Sequence, residues 1–480
     1  MSARTGTRSE VAPENDPAAV EFPNEQVVRI GSGQGFWGDW QEAPKLQVRC
    51  GTIDYLMLDY LAEITMSIMQ KQKERSPDAG YAKDFVSLMV ELAADLVDRN
   101  VRVVSNAGGV NPSGCRAALG IGLADQPLSR RPRVAVVQGD DLMSSLDALI
   151  AEGHELAHMD TGEPLSSVRD RVVSANAYLG SAPIVQALQQ DADIVITGRS
   201  TDTALTYAPL IHEFSWDQDD WDLIAKGVVA GHINECGCQA SGGNSLVEWP
   251  TIDLTVPGYP IIEAKSDGSF IVTKHPNLDG RLTWATVTEQ LVYEMGNPTE
   301  YITPDVVADF STIELQDLGD DRVLVTGARG RQRTDKLKVS IAYRDGYKAI
   351  GSLTYAWPDA YEKAKRANEI LRGRLDYIGL VFDEIRTEYI GAGACHGPLL
   401  AGPPSSDLPE VTLRIGVRAP DRNAVTRFTR EIAPLILAGP PTVTGFADGR
   451  PRVQEVVAYW PALIDRQVVE GRITVETLPL

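Results

Sequence analysis

Short runs of apolar residues alternate with longer amphipathic stretches along the first half of the chain. The apolar runs are residues 27–30, 53–59, 101–104, 134–137, 172–173 and 194–197. Helical patterns over 61–72, 81–98 and 145–151 separate several of them. Apolar runs that alternate with helices predict βαβ units, and runs that are apolar throughout fit a parallel sheet covered on both faces.

The second half has a different pattern. Residues 336–356 predict a hairpin that turns at Arg344, Asp345 and Gly346. A strand over 410–417, a helix over 421–437 and a strand over 453–459 follow. We therefore predict an α/β fold in which a lobe with a mostly parallel sheet, residues 25–250, precedes an α+β lobe with antiparallel strands, residues 251–480.

Composition excludes some classes of protein. The 480 residues carry a formal net charge of −21, which disfavours binding to nucleic acid or to an anionic membrane surface. Residues 1–24 are polar and lack an apolar segment, so they predict a disordered tail and not a secretory signal. Five scattered cysteines do not suggest a disulfide framework, so we expect reduced thiols and a cytoplasmic protein.

Clusters of small and polar residues follow the predicted strands. In such folds ligands bind beyond the carboxyl ends of the strands, so these loops predict a small-molecule site. Asn106, Gly108 and Gly109 lie in one loop, Asn176 in a second, and Arg199 and Asp202 in a third. The guanidinium of Arg199 is suited to a carboxylate or phosphate. Asp202 is either a general base or the cap of the next helix, and both alternatives stay open.

A segment dense in small and polar residues, GHINECGCQASGGN, occupies positions 231–244. Its pattern predicts a glycine-rich loop after a helix that ends near Val229. Glu235 is a candidate acid or base, and Asn244 a candidate substrate ligand. Cys236 and Cys238 are either nucleophiles or inert buried thiols, and the second alternative is favoured.

Two motifs suggest chemistry that their surroundings do not support. Gly33 begins a G-x-G-x-x-G pattern over 33–38, but bulky residues follow and no helix is predicted to open there, so a loop near some ligand is favoured over a dinucleotide site. Residues 154–158 read H-E-x-x-H, but a preceding glycine and a nearby proline disfavour the helix that a zinc site needs. We therefore assign no metal ligand.

Basic residues cluster between positions 329 and 338. They are Arg329, Arg331, Arg333, Lys336 and Lys338. The cluster either binds an anion, such as the phosphates of coenzyme A, or forms a solvated loop. The second alternative is favoured.

Several of these segments together resemble the AtuA-type acyclic terpene utilisation family. They include RIGSGQGFWGDW at 29–40, SNAGGVNP at 105–112, SANAYLGSAPIV at 174–185, ITGRSTDTAL at 196–205 and INECGCQASGGN at 233–244. The resemblance implies a bacterial or fungal cytoplasmic protein of the catabolism of branched isoprenoid acids, such as citronellate and geranate, through CoA thioesters. It carries over to Gly33, Asn106, Asn176, Arg199, Asp202, Glu235 and Asn244. The Cys236-Gly237-Cys238 sequence departs from the single cysteine of the family.

These observations predict an enzyme that acts on a branched acyl substrate, as a hydratase, dehydratase or carbon–carbon lyase. Asp202 or Glu235 would move the proton, while Asn106, Asn176 and Asn244 would orient a carbonyl. We expect no cofactor, with coenzyme A only as part of the substrate, and we expect a homo-oligomer. The alternatives are a non-catalytic acyl-binding subunit of a partner enzyme and a metal-dependent hydrolase.

Overall fold

The computed structural model describes residues 26–400, 405, 407–445 and 449–480, so the predicted tail lies outside the described residues. The strands are β1 Val28–Gln34, β2 Tyr55–Leu58, β3 Arg102–Ser105, β4 Arg133–Gln138, β5 Val172–Ala177, β6 Ile194–Thr197, β7 Ile261–Ala264, β8 Phe270–Thr273, β9 Tyr301–Ile302, β10 Val307–Asp309, β11 Glu314–Gly319, β12 Arg322–Thr326, β13 Arg329–Arg331, β14 Lys336–Ala356, β15 Glu384–Ile390, β16 Glu410–Ala419, β17 Val443–Thr444, β18 Gln454–Asp465 and β19 Thr474–Pro479. The helices are α1 Ala43–Arg49, α2 Glu63–Arg75, α3 Lys83–Arg99, α4 Pro112–Leu123, α5 Leu146–Ala151, α6 Ala182–Gln189, α7 Ala204–Phe214, α8 Trp221–Asn234, α9 Trp284–Val292, α10 Ala360–Tyr377, α11 Arg422–Phe428, α12 Leu435–Ala438 and α13 Arg466–Glu470.

The larger sheet has a parallel centre. Its strands β1, β2, β3, β6 and β4 run parallel in that order. All four residues of β2 and of β6 are buried, as expected for strands that helices cover on both faces. Antiparallel strands extend this centre, with β7, β8, β12 and β11 beyond β1 and β19 beyond β4. The predicted α/β class is confirmed. The boundary near Pro250 stays a prediction, and strands from both sides of it share this sheet.

The second half contains the antiparallel strands that the sequence predicts, but the hairpin over 336–356 is wrong. These residues form the single strand β14, which pairs with β5 and β18 in its first part and with β16 and β17 in its second part. Gly346 has a φ of +81°, and a Cβ there would lie 2.7 Å from the carbonyl oxygen of Ala419. The register against β18 shifts between Arg344 and Tyr347, so the turn-forming residues make a bulge and not a turn.

The helix predicted over 421–437 is also wrong, because it is interrupted. Helix α11 ends at Phe428, and Pro434 precedes the short helix α12. Proline has no N–H for a helix interior, so it fits here only at the start of a new helix.

Helix α8 is longer than the sequence predicts, and its added turn places candidate site residues. Gly231, His232 and Asn234 are helical, and Glu235 follows as the C-terminal cap. A Cβ on Gly231 would lie 2.5 Å from the carbonyl oxygen of Thr203. Only glycine allows this close approach. It brings the end of α8 against the loop that follows β6.

Candidate functional site

Three loops meet at the carboxyl ends of β2, β3 and β6. Asn106, which follows β3, is fully buried. Its Nδ2 donates to Oδ1 of Asp59 at 2.7 Å, and its Oδ1 accepts from the backbone N–H of Tyr60 at 2.7 Å. The sequence predicts that Asn106 orients a substrate carbonyl. In the structure its amide holds Asp59 and the loop after β2.

Arg199 links the loop after β6 to the loop after β2. Its side chain is 1% exposed, and Nη1 donates to the carbonyl oxygen of Leu61 at 2.5 Å. Nη1 also lies 3.1 Å from Oδ1 of Asp202, whose side chain is 33% exposed. The guanidinium carbon lies 4.1 Å from the centre of the Tyr178 ring, within the range of a cation–π contact. These contacts fix the position of Asp202.

The predicted basic cluster does not form one patch. Lys336 pairs with Asp465 at 2.5 Å, and Arg331 donates to the carbonyl oxygen of Thr299. Lys338 instead lies near the site, with Nζ 4.9 Å from the centre of the Tyr178 ring. Lys338 and Arg199 therefore bring two positive charges to the same aromatic ring.

Asn176 lies inside a strand and not in a strand-end loop, so that part of the prediction is wrong. It pairs with Ser340 of β14, because β5 joins the second sheet. Its Nδ2 donates to Oδ2 of Asp140 at 2.8 Å, and the same oxygen accepts from the backbone N–H of Arg199 at 2.9 Å. Burial raises the pKa of Asp140 to about 6, against the effect of these hydrogen bonds. Asn176 and Asp140 thus hold the backbone of the loop after β6 in place through hydrogen bonds.

Glu235 approaches the same centre from the end of α8. Its side chain is 13% exposed, and Oε1 lies 3.2 Å from Nδ1 of His232. Its Oε2 is buried and has no hydrogen-bond partner among the described residues. The charge of Glu235 contributes to raising the pKa of both Asp59, in the loop after β2, and Tyr301 of β9. An unpartnered carboxylate oxygen in a buried site is free to accept a hydrogen bond from a bound molecule.

Asp59, like Asp140, has a raised pKa, and its pKa lies closer to neutrality. Burial raises its pKa to about 7, while the hydrogen bond from Asn106 and the charge of Arg199 act in the opposite direction. A carboxyl group with a pKa near neutrality can both donate and accept a proton at physiological pH. Asp59, Asp202 and Glu235 together form what we call the carboxylate cluster.

The raised pKa of Asp59 predicts how stability depends on pH. Between the ordinary pKa of an aspartate, about 3.9, and the folded value near 7, the folded state binds more protons than the unfolded state. The free energy of unfolding of the wild type should therefore fall, relative to that of Asp59→Asn, as pH rises towards 7. The difference should level off above that pH. Asparagine keeps an oxygen for Asn106 but cannot ionise.

Urea unfolding at several values between about pH 5.5 and 8.5 measures this difference. The contribution of Asp140 is common to both proteins, so it cancels in the comparison. Two parallel curves over this range would contradict the raised pKa of Asp59.

Asn244 and the candidate glycines differ in what they contact. A Cβ on Gly33 would lie 2.7 Å from a methyl carbon of Leu58, and one on Gly108 would lie 2.5 Å from the carbonyl oxygen of Thr197. Gly109, with a φ of +52°, lies against Met69. These contacts indicate that the backbone packs closely at all three glycines.

Asn244 is exposed and lines a cavity of 370 Å³ beside the carboxylate cluster. The other residues that line it are Gly35, Phe36, Asp39, Cys236, Cys238, Gln239, Gly243 and Tyr293.

Neither motif lies on the helix that its chemistry would need, as the sequence predicts, but Gly33 lies inside β1 and not in a loop, so that part of the prediction is wrong. No helix opens at the glycines of residues 33–38, because α1 begins at Ala43. His154 and His158 lie in a segment without helix, where His158 packs on Trp460 and His154 faces Asp465 at 3.7 Å. In the described part of the chain, no group of three His, Cys, Asp or Glu side chains has the arrangement of a metal site. Burial raises the pKa of the thiols of Cys236 and Cys238, which disfavours a thiolate nucleophile.

Sequence reasoning missed two residues of this site, Asp59 and His232, and did not place Lys338 there. Asp59 directly follows β2, just as Asn106 directly follows β3, so the strand-end rule applied to β2 would have found it. His232 precedes Glu235 by three residues, which is the spacing of neighbours on a helix, but the segment was predicted as a loop. Lys338 is named from the sequence only as part of the basic cluster, and the pairing of β14 with β5 is what brings it to this site.

The fold and the site define an α/β protein with a buried cluster of acid–base side chains beyond the carboxyl ends of its central parallel strands. A model of the acyclic terpene utilisation family protein AtuA matches residues 28–475. The chain belongs to this family. The searches of curated proteins and of solved structures found no match. No helix among the described residues has the length and apolar character needed to cross a membrane.

Proposed function

We propose that this protein is an enzyme of branched and isoprenoid acid catabolism that transfers a proton on an acyl substrate, a CoA thioester. The reaction would be a hydration, a dehydration or a carbon–carbon cleavage. Membership of the acyclic terpene utilisation family supports the catabolic setting. The observation that carries the chemistry is the carboxylate cluster, in which Asp59 lies within electrostatic reach of both Glu235 and the buried guanidinium of Arg199, and Arg199 pairs with Asp202.

The three carboxylates have different environments, which suits them to different steps. Asp59 is buried, with a pKa of about 7, so it is the candidate proton donor. Glu235 has an unpartnered oxygen, so it is the candidate base. It would remove a proton next to the thioester carbonyl of a saturated acyl chain, or from the γ-carbon of an α,β-unsaturated chain such as that of geranoyl-CoA. Asp202 is one-third exposed and held by Arg199, so it is the candidate that contacts the substrate or water at the mouth of the site.

The roles predicted from sequence for Arg199 and Asn106 change under this proposal. Both side chains are buried and already bonded to the protein. We propose that they hold the carboxylates in place and that Lys338, beside Tyr178, supplies the positive charge towards an enolate oxygen or a substrate anion. No cofactor is needed for proton transfer of this kind. A homo-oligomer and a cytoplasmic location remain predictions.

Deuterium exchange tests the proposal without assuming the final product. Purified protein is incubated in D2O with geranoyl-CoA or citronellyl-CoA, and mass spectrometry follows deuterium uptake into the acyl chain. We expect uptake with the wild type, and a rate at least about 10-fold lower with Asp202→Asn, because the amide lacks the negative charge with which Asp202 would contact the substrate or water. Asp160→Asn is the matched control, since Asp160 is 81% exposed and lies in the loop after His158. Unchanged exchange in Asp202→Asn would remove this residue from the mechanism.

One observation favours the alternative of an acyl-binding subunit. Residues 246–249, beside Asn244, expose apolar side chains, including Leu246 at 85% and Trp249 at 70%. Such side chains next to a site suit contact with a partner enzyme. Calorimetry separates the two functions, because the subunit would bind geranoyl-CoA without any exchange of deuterium.

A further inference from the structure

A buried histidine contacts the candidate base from the same helix. His232 is 2% exposed, and its Nδ1 lies 3.2 Å from Oε1 of Glu235. We propose that His232 is a positioning residue that holds Glu235 in one orientation with Oε2 directed to the substrate. This inference rests on the proposed function, in which Glu235 is the base.

Among the described residues, the imidazole ring of His232 has one polar contact, the one with Glu235. Its other ring nitrogen, Nε2, is buried without a hydrogen-bond partner among the described residues. The rings of Tyr301 and Phe310 pack against the imidazole with centroid distances of 5.4 and 5.5 Å, both edge to face. A proton on Nε2 would therefore be a buried donor without an acceptor, which is costly.

These contacts assign the tautomer of His232. The proton lies on Nδ1 and is donated to Oε1 of Glu235, while Nε2, which has no hydrogen-bond partner among the described residues, carries no proton. The imidazole therefore donates a hydrogen bond to Oε1 alone, and Oε2 of Glu235 remains available for proton transfer.

The backbone of this turn is fixed independently, so the imidazole has a separate role. Gln290 of α9 donates through Nε2 to the carbonyl oxygen of His232 at 2.9 Å, and the backbone N–H of Glu235 donates to the carbonyl oxygen of Gly231. Replacing the ring leaves both contacts in place. The loss that we expect on substitution is therefore in the orientation of the Glu235 carboxylate and not in the position of the helix.

Two substitutions of His232 separate a positioning role from a packing role. His232→Leu fills the space between the rings but cannot donate, and we expect the maximal deuterium exchange rate to fall about 10- to 100-fold with little change in the concentration for half-maximal rate. The Nδ2 of asparagine occupies nearly the place of Nδ1, so His232→Asn should recover most of the rate although it packs less well. His154→Leu is the matched control, because His154 lies away from the carboxylate cluster.

The proposal is overturned if His232→Leu keeps the wild-type rate, or if His232→Asn is as slow as His232→Leu while both keep the wild-type circular dichroism. A second measurement does not depend on any reaction. The imidazole ¹⁵N resonances of the wild type, assigned by comparison with His232→Asn, should report the tautomer protonated on Nδ1, and Glu235→Gln should shift the Nδ1 resonance.

The two measurements distinguish failure of this inference from failure of the proposed function. If no probe exchanges deuterium but the Nδ1 tautomer and its response to Glu235→Gln are present, the proposed reaction is wrong and the contact stands. A proton on Nε2 overturns the inference whatever the enzyme does.

Discussion

We expect Glu235→Gln to lower the rate of deuterium exchange into geranoyl-CoA by about 100- to 10,000-fold, the range that a positioned general base contributes. The glutamine has nearly the same shape, and its amide oxygen can still accept from Nδ1 of His232. What it loses is the ability to remove a proton. Since Oε2 has no partner among the described residues, little structural hydrogen bonding is lost with it.

The matched control for this substitution is Glu155→Gln. Glu155 is the glutamate of the H-E-x-x-H sequence, so a rate lowered by this variant and not by Glu235→Gln would favour the hydrolase alternative over the carboxylate cluster. Thermal unfolding should be measured for both variants, so that a lower rate is not mistaken for a loss of folded protein. Wild-type exchange by folded Glu235→Gln would exclude Glu235 as the base.

The sequence predicts the centre of the fold because each strand there is a short apolar run followed by a polar loop. The strand over 194–197 has the bounds that the sequence predicts, and Arg199 and Asp202 follow it as expected. The errors arise where contacts between residues far apart in the sequence determine the secondary structure. The sequence predicts that Asn176 follows a short strand, but pairing with β14 extends that strand through it.

At the site, the end of α8 is another place where a tertiary contact overrides the local sequence pattern. Glycine lowers helix propensity, so Gly231 predicts the end of a helix. Tertiary packing against Thr203 instead requires a glycine inside the helix. Because of that contact, the predicted loop is instead the last turn of α8, which positions His232 and Glu235. No local sequence pattern indicates this contact. In the same way Gly346 predicts a turn in isolation and forms a bulge where neighbouring strands pair on both sides.

The second large effect that we expect is on stability. Arg199→Met should lower the free energy of unfolding by about 1–3 kcal/mol, the usual cost of leaving a buried polar group without its partner, and the ion pair adds little because Asp202 is one-third exposed. The methionine fills much of the same volume but leaves the carbonyl oxygen of Leu61 without its donor and Asp202 without its cation. Arg199→Lys should recover only part of the loss, because an ammonium group lacks the planar fork of a guanidinium.

Arg169→Met is the matched control for chemical unfolding experiments. Arg169 contacts both oxygens of Asp147, which is 80% exposed, and such a surface pair contributes about 0–1 kcal/mol. A loss of less than about 1 kcal/mol in Arg199→Met would contradict the organising role of Arg199.

The same substitution connects stability to the proposed chemistry. The positive charge of Arg199 lowers the pKa of Asp59 against the effect of burial. Without that charge the pKa of Asp59 should rise above about 7, and the pH-dependent difference from Asp59→Asn should extend to higher pH in the Arg199→Met background. An unchanged pH dependence would show that the two residues act separately, and that the carboxylate cluster is not organised around this guanidinium.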